Sequence, residues 1–419
     1  NNRKVYNNLD AVLAQSLGKD IQINNLEWRP LTAPGENFGS IMLAINVTVT
    51  RNTKKETLNL VAKLPPSSDY LLDLFNSPVT FRKELLFYSL LAKEFINLQI
   101  ENGINEQDVS IIAPQYFGGR LGLRNPDKFD EQATIILENL KYSGFGTEDR
   151  IWGLDKKHVE FALEELAKLH ALAVALKIKK PQLFEKISKG VLQEVLSETT
   201  EKCIVGMIQK AHADIQDIEE AKPYLDQVSR TIEFCIKSTN NPAQPEEPWA
   251  TLVHNDFWVN NMMFKHDEHG ELVDMKIVDF QLCIYDYGIN DLIFFLVSSA
   301  NKEILDNKFD EMIDYYYSSF IKCLKTLKVD TEKFSKQKFD QIVNHCGPMK
   351  FTQCIMMAQV IQAPKGSAPE VKDVKGEDVF TSRVGDDIYK QKLLQIVTLF
   401  NKRGCILYVN ACKVQIYKR

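Results

Sequence analysis

The stretch from residue 251 to 283, TLVHNDFWVNNMMFKHDEHGELVDMKIVDFQLC, constrains this chain more than any other. It carries the order H-x-D-x-x-x-x-N in His254, Asp256 and Asn261, and an Asp-Phe pair, Asp279 and Phe280, closes an apolar run 18 residues after the Asn. Thr251 to Val253 read as a short strand entering a loop, and Met262 to Lys265 as a strand leaving it. Asp267 to Glu271, with Gly270, form a turn, and Leu272 to Asp279 return. A hairpin of that shape brings the loop and Asp279 to the same side. Phosphoryl transfer from ATP asks a protein for such a set, because one carboxylate orients the attacking hydroxyl while an Asn and a second carboxylate hold magnesium on the phosphates. Asp256 is therefore expected at the acceptor hydroxyl, and Asn261 and Asp279 at Mg2+. An Asp and an Asn five apart recur by chance in a chain of 419 residues, so His254, the hairpin and the Asp-Phe pair carry the specificity.

Upstream, residues 5–17 place Leu9, Val12, Leu13 and Leu17 on one helical face, ended by Gly18. Strands are expected over Ile21 to Trp28, Ile41 to Thr50 and Leu58 to Leu64. The PGENFGS turn at 34–40 precedes the second of these, and its backbone and Ser40 are candidates for covering ATP phosphates. Two glycines in a turn are also simply a turn. Lys63 ends an otherwise apolar strand and is either a charge facing solvent at a strand edge or a phosphate-binding lysine. Glu84, on the amphipathic helix FRKELLFYSLLAKEF, lies where a kinase keeps the acidic partner of that lysine. Val109 to Ile112 and Ala133 to Leu137 complete the small sheet in this reading, with Gly118 to Gln132 as a polar excursion between them.

The order HNDFWVNN followed by IVDFQLCIYDYGINDL resembles the ecdysteroid kinase-like family, also called choline-kinase-like, of the aminoglycoside phosphotransferase and protein kinase superfamily. The F-x-x-E-x-x-F-Y arrangement of Phe81, Glu84, Phe87 and Tyr88 is similar to the family pattern, and the resemblance covers most of the chain. It implies an α+β, two-lobed protein kinase-like fold: a small antiparallel-sheet lobe over 1–138 and a larger, mainly helical lobe over 139–419. It further implies ATP-dependent phosphorylation of a small-molecule hydroxyl, with ecdysteroids, the insect moulting steroids, as the best-known substrates. Adenine would then hydrogen-bond the backbone of Glu138 to Leu140. Asp291 follows Asp279 by only 12 positions, too few for a segment on which a protein substrate lies, and Gln281 stands where a protein kinase has Gly. Two other readings stay open: a catalytically dead nucleotide- or hormone-binding member, and a kinase for choline, ethanolamine or an aminoglycoside. Phe257, Trp258 and Val259 beside Asp256 favour a large apolar acceptor pocket, with Trp258 on the substrate side.

The long pattern from Asp155 to Ile178 puts His170 on an apolar face, as a satisfied core histidine, and Asp291 is expected to cap the next helix and brace the loop. Further helices are expected over Ile304 to Leu327, Thr331 to Val360 and Asp387 to Asn401. Of Tyr315, Tyr316 and Tyr317, only some can pack inward. The turn at 35–40 and the polar segment at 364–378 are expected to be mobile. A net charge of −5 gives no reason to expect nucleic acid, and no apolar run reaches the 18 residues of a membrane span. No protein partner is evident. The eight cysteines have no metal-ligand spacing, and the opening NNRKVYNNLD shows no secretory signal, so the expected compartment is the cytoplasm.

Overall fold

A computed structural model describes residues 7–31, 39–190, 196–239, 244–364 and 387–406. The chain folds into two lobes. The first is built on a five-stranded antiparallel sheet in the order β1-β2-β3-β5-β4, from β1 (Ile21–Pro30), β2 (Ile41–Arg51), β3 (Lys54–Leu64), β4 (Tyr116–Arg120) and β5 (Thr134–Glu138). Helix α1 (Leu9–Leu17) lies on one face of it, and the short α2 (Asp69–Leu74) leads into α3 (Ser77–Leu86). A π turn over Phe87–Leu91 joins α3 to α4 (Ala92–Glu101).

Period-two alternation decides which way Lys63 points. Leu60, Ala62 and Leu64 face α1 in a cluster with Leu43, Ile45 and Val47. Lys63 must then face the other way, toward α3. On the neighbouring strand Ile136 joins the α1 cluster, whereas Ile135 and Leu137 pack with Phe81 and Phe87.

One strand lies elsewhere than the sequence suggested. Residues 109–112 are irregular, and the sheet is completed by Tyr116–Arg120, inside what reads as a polar excursion. Packing explains the Gly-Gly pair in that strand. A Cβ at Gly118 would lie 2.1 Å from the Val12 carbonyl oxygen of α1, and one at Gly119 would lie 2.5 Å from Leu85 Cδ1 of α3. Helices press on both faces, so only glycine fits.

The second lobe is mainly helical. A short strand β6 (Phe145–Gly146) precedes α5 (Lys156–Lys179), α6 (Pro181–Gly190), α7 (Glu198–Gln216) and α8 (Leu225–Thr239). Next come β7 (Ala250–Val253), β8 (Met262–His266), β9 (Leu272–Ile277) and β10 (Ile284–Tyr287), followed by α9 (Ile289–Ser299), α10 (Lys302–Asn307), α11 (Phe309–Thr326), α12 (Lys336–Ile361) and α13 (Asp387–Lys402). The expected helix at 304–327 is thus two helices meeting at Lys308, and α12 starts at Lys336, capped by Ser335, rather than at Thr331. Antiparallel β8 and β9 form the expected hairpin, extended by β6, while β7 pairs with β10. The ten residues from Phe280 to Ile289 therefore contain a 3-10 turn, a paired strand and a helix start.

His170 is fully buried and satisfied, as expected: its Nδ1 lies 2.6 Å from Tyr316 Oη and its Nε2 3.2 Å from Asp291 Oδ2. Tyr316 faces the core, while Tyr317 reaches the Phe334 carbonyl at 2.8 Å. Of the seven described cysteines, all free, five are buried. Among the described residues no helix is long and apolar enough to cross a membrane. Most of the 34–40 turn and residues 365–378 of the polar segment lie outside the described residues.

Candidate active site

The loop between β7 and β8 is fixed from beneath by a carboxylate. Asp291, buried in the first turn of α9, accepts from the backbone N–H of His254 at 2.6 Å and of Asn255 at 2.8 Å, and His170 adds a third bond. Burial acts to raise the Asp291 pKa, but the His170 and His254 contacts pull it below the usual carboxylate range. The cap of α9 is Gly288, not Asp291, whose oxygens are committed to the loop.

His254 is fully buried, and its Nε2 lies 3.0 Å from the Val278 carbonyl. A carbonyl only accepts, so the proton sits on Nε2 and leaves Nδ1 to receive the Asp256 N–H at 3.3 Å. Burial holds this imidazole below the ordinary histidine value, so it is neutral and acts as a scaffold. Phe280 extends that scaffold upward, stacked on Phe87 of the π turn with ring centroids 3.4 Å apart.

Asn261 Nδ2 donates to the Asp256 carbonyl at 2.8 Å and to Asp256 Oδ2 at 2.9 Å. Both amide hydrogens are used, which leaves the carboxamide oxygen as the group that could ligate a metal. The Val278 N–H donates to the Asn261 carbonyl at 3.0 Å, and so holds Asp279 beside this loop. Asn255 and Asp279 both adopt left-handed backbone, each with φ +66°, in the loop and at the strand end that the hairpin brings together. After glycine, short polar side chains tolerate that conformation best. The Asp256 carboxyl, half-buried, also accepts from the Trp258 side chain; burial, then the Asp279 charge, push it up to about 7 against those hydrogen bonds.

Lys63 arrives from the sheet lobe. Its Nζ is 2.6 Å from Glu84 Oε2 and 2.9 Å from Asp279 Oδ1, so one ammonium ties strand, helix and hairpin together. Burial opposes its charge, but the two carboxylates outweigh that and raise its pKa above the ordinary lysine value. Glu84 is pushed upward, chiefly by burial, and its Oε1 has no hydrogen-bond partner. Gln281 Nε2 donates to Asp279 Oδ2 at 3.3 Å. Sequence reasoning gave no role to Gln281 and did not foresee the Lys63–Asp279 bond, whose residues lie 216 apart.

Other expected residues take less central places. Phe257 and Val259 are fully buried in the core, and Trp258 directs its polar edge at Asp256, so two of the three residues expected to favour an apolar pocket do not line one. Ser40 is buried just before β2. In the segment after β5, the Glu138 N–H donates to the Gln115 carbonyl at 2.9 Å, and the Asn139 N–H to the Asn59 carbonyl at 3.1 Å. The Asn139 carbonyl accepts from Tyr142, and the Leu140 carbonyl from Ser143 and Phe145.

No curated protein sequence matches the chain. Solved structures similar to it include an ethanolamine kinase of Plasmodium vivax, at 12% identity over 94% of this chain and 89% of that one, with a TM-score of 0.41. A choline/ethanolamine kinase family protein of Mesorhizobium loti is 11% identical over 90% of each chain, with a TM-score of 0.37. A GDP complex of an aminoglycoside phosphotransferase is 13% identical over 94% of this chain and 96% of that one, also with a TM-score of 0.37. The family model described as ecdysteroid kinase-like matches residues 34–329, well over half of the sequence, and the chain therefore belongs to the ecdysteroid kinase-like family.

Proposed function

We propose that this protein transfers the γ-phosphoryl group of ATP to a hydroxyl of a small lipophilic alcohol, of which an ecdysteroid is the leading example. The observation that carries this reading is the hydrogen-bonded set in which Lys63 bridges Glu84 and Asp279 while Asn261 holds Asp256. Asp256 accepts the proton of the acceptor hydroxyl, and its raised pKa suits a base working near neutrality. Lys63 leaves Asp279 for the phosphates and keeps Glu84 as its anchor. Asn261 and Asp279 offer a carboxamide and a carboxylate oxygen, a donor set that suits Mg2+. Bound magnesium supplies neutralisation of phosphate charge.

Adenine recognition falls to the segment after β5, and we place the boundary between the lobes there, after Glu138. With the Glu138 N–H, both Asn139 backbone groups and the Leu140 carbonyl committed, the Glu138 carbonyl and the Leu140 N–H form the acceptor-donor pair for a purine edge. Ser40 is proposed to contribute to the phosphate cover.

One further contact bears on the acceptor. Gln353 of α12 donates to the Asn255 carbonyl at 3.2 Å, one residue before Asp256, and Lys350 holds Gln353 at 2.7 Å. A lysine here is the opposite of what a quaternary ammonium or aminoglycoside needs. On the same helical face as Gln353, Met349, Met356 and Val360 are half-buried and adaptable apolar groups that suit a polycyclic alcohol. Incubation with Mg-ATP and a panel of ecdysteroids, other lipophilic alcohols, choline, ethanolamine and aminoglycosides, read by product mass, tests this. Phosphorylation of the lipophilic members is expected; a strong preference for a cationic acceptor would overturn the substrate assignment.

A further inference from the structure

Outside the phosphate site, three side chains from separate segments of the second lobe converge: Glu148 just after β6, His158 in the first turn of α5, and His266 at the end of β8. One potential ligand atom from each lies within 4.8 Å of the others. We propose that Glu148, His158 and His266 form a zinc-type divalent metal site that staples the start of α5 and the preceding connection to the β6-β8-β9 sheet.

The hydrogen bonding of His158 supports this. Asp155, the cap of α5, accepts through Oδ1 from the His158 backbone N–H at 3.0 Å and from its Nδ1 at 2.8 Å. A carboxylate only accepts, so the imidazole proton sits on Nδ1 and the Nε2 lone pair points outward. That lone pair meets His266 Nε2 at 3.2 Å, with Glu148 Oε1 3.9 Å from His158 Nε2. Two nitrogens bound at zinc distances in a tetrahedral site stand about 3.3 Å apart. The carboxylate behind His158 is the outer partner that fixes a ligating imidazole. Phe264 packs edge-on against the His158 ring, 5.2 Å between centroids, and holds its plane. His266 is exposed, so an ion can enter and a water can take the fourth position. Two imidazoles and one carboxylate favour Zn2+ over Mg2+, which separates this cluster chemically from the oxygen donors of the phosphate site.

The test is calorimetric titration of the full, untagged, chelator-stripped chain with ZnCl2 in excess MgCl2, alongside His266→Ala and Glu148→Gln. Saturable binding of one Zn2+ per chain, with a rise in Tm, is expected. Each variant loses a direct ligand and should bind at least about 10- to 100-fold more weakly, the loss that removing even a supporting partner causes. The metal-free Tm of Glu148→Gln and His266→Ala should match that of the parent. Absence of saturable Zn2+ binding, or equal affinity in parent and both variants, would overturn the proposal and leave the imidazoles as a simple hydrogen-bonded pair.

Discussion

Replacing Asp256 with Asn should lower turnover and raise stability together, a pairing that follows from where this carboxyl sits. Its pKa rises from 3.8 to about 7 on folding. At about 1.36 kcal/mol per unit, keeping it ionised in the folded protein costs up to about 4 kcal/mol, an upper bound because the side chain is half-buried. The folded value lies above the unfolded one, so the native state takes up this proton first as pH falls. The penalty is therefore complete above about pH 7 and fades as pH drops toward the unfolded value. Asn is neutral and escapes it, but its NH2 must oppose one of the donors from Asn261 and Trp258, at a cost of about 1–3 kcal/mol. The net expectation is a gain of about 1–3 kcal/mol near pH 8 that vanishes near pH 5. Turnover should fall about 10²- to 10⁴-fold, the usual loss for a positioned proton acceptor, with ATP affinity little changed. In the parent, kcat/KM should fall about tenfold per pH unit below pH 7, a slope the variant should lack. Thermal melts across pH and steady-state kinetics read both effects. Near-normal turnover, or a Tm difference independent of pH, would refute the reasoning.

Asp279→Ala should weaken magnesium-dependent nucleotide binding as well as turnover, with only partial rescue by added magnesium; titration of ATP with and without the metal checks this. Lys63→Met leaves Glu84 and Asp279 facing each other without their shared cation, so chemical denaturation near pH 8 should show a loss of about 3–5 kcal/mol, smaller at lower pH as Glu84 takes up a proton. Gly118→Ala drives a methyl into the Val12 carbonyl and should destabilise the sheet lobe by about 3 kcal/mol, seen as an early loss of strand signal in circular dichroism.

Local patterns were readable where a period or a spacing carried them. The β8–β9 hairpin, the first three strands and α5 follow from alternation, turn residues and helical periodicity, because short-range sterics set them. The strand at Tyr116–Arg120 was not readable, since its glycines are dictated by helices that approach from distant parts of the chain. Asp256, Asn261 and Asp279 stand out through motif spacing, and the structure brings them together with Lys63 and Glu84. The Trp258 contact to Asp256 was not readable, because side-chain orientation in a loop depends on its neighbours rather than on hydropathy. Glu148, His158 and His266 were silent for the same reason: no sequence spacing links a connection, a helix start and a strand end.

The most direct test follows the phosphorus atom itself. With ATP labelled at the γ-phosphate, magnesium and a lipophilic alcohol, the account predicts label in a phosphomonoester of that alcohol, formed in step with ADP and lost in Asp256→Asn. Tight nucleotide binding with no labelled ester from any alcohol, steroidal or cationic, would contradict it and identify a nucleotide-binding protein without phosphotransferase activity.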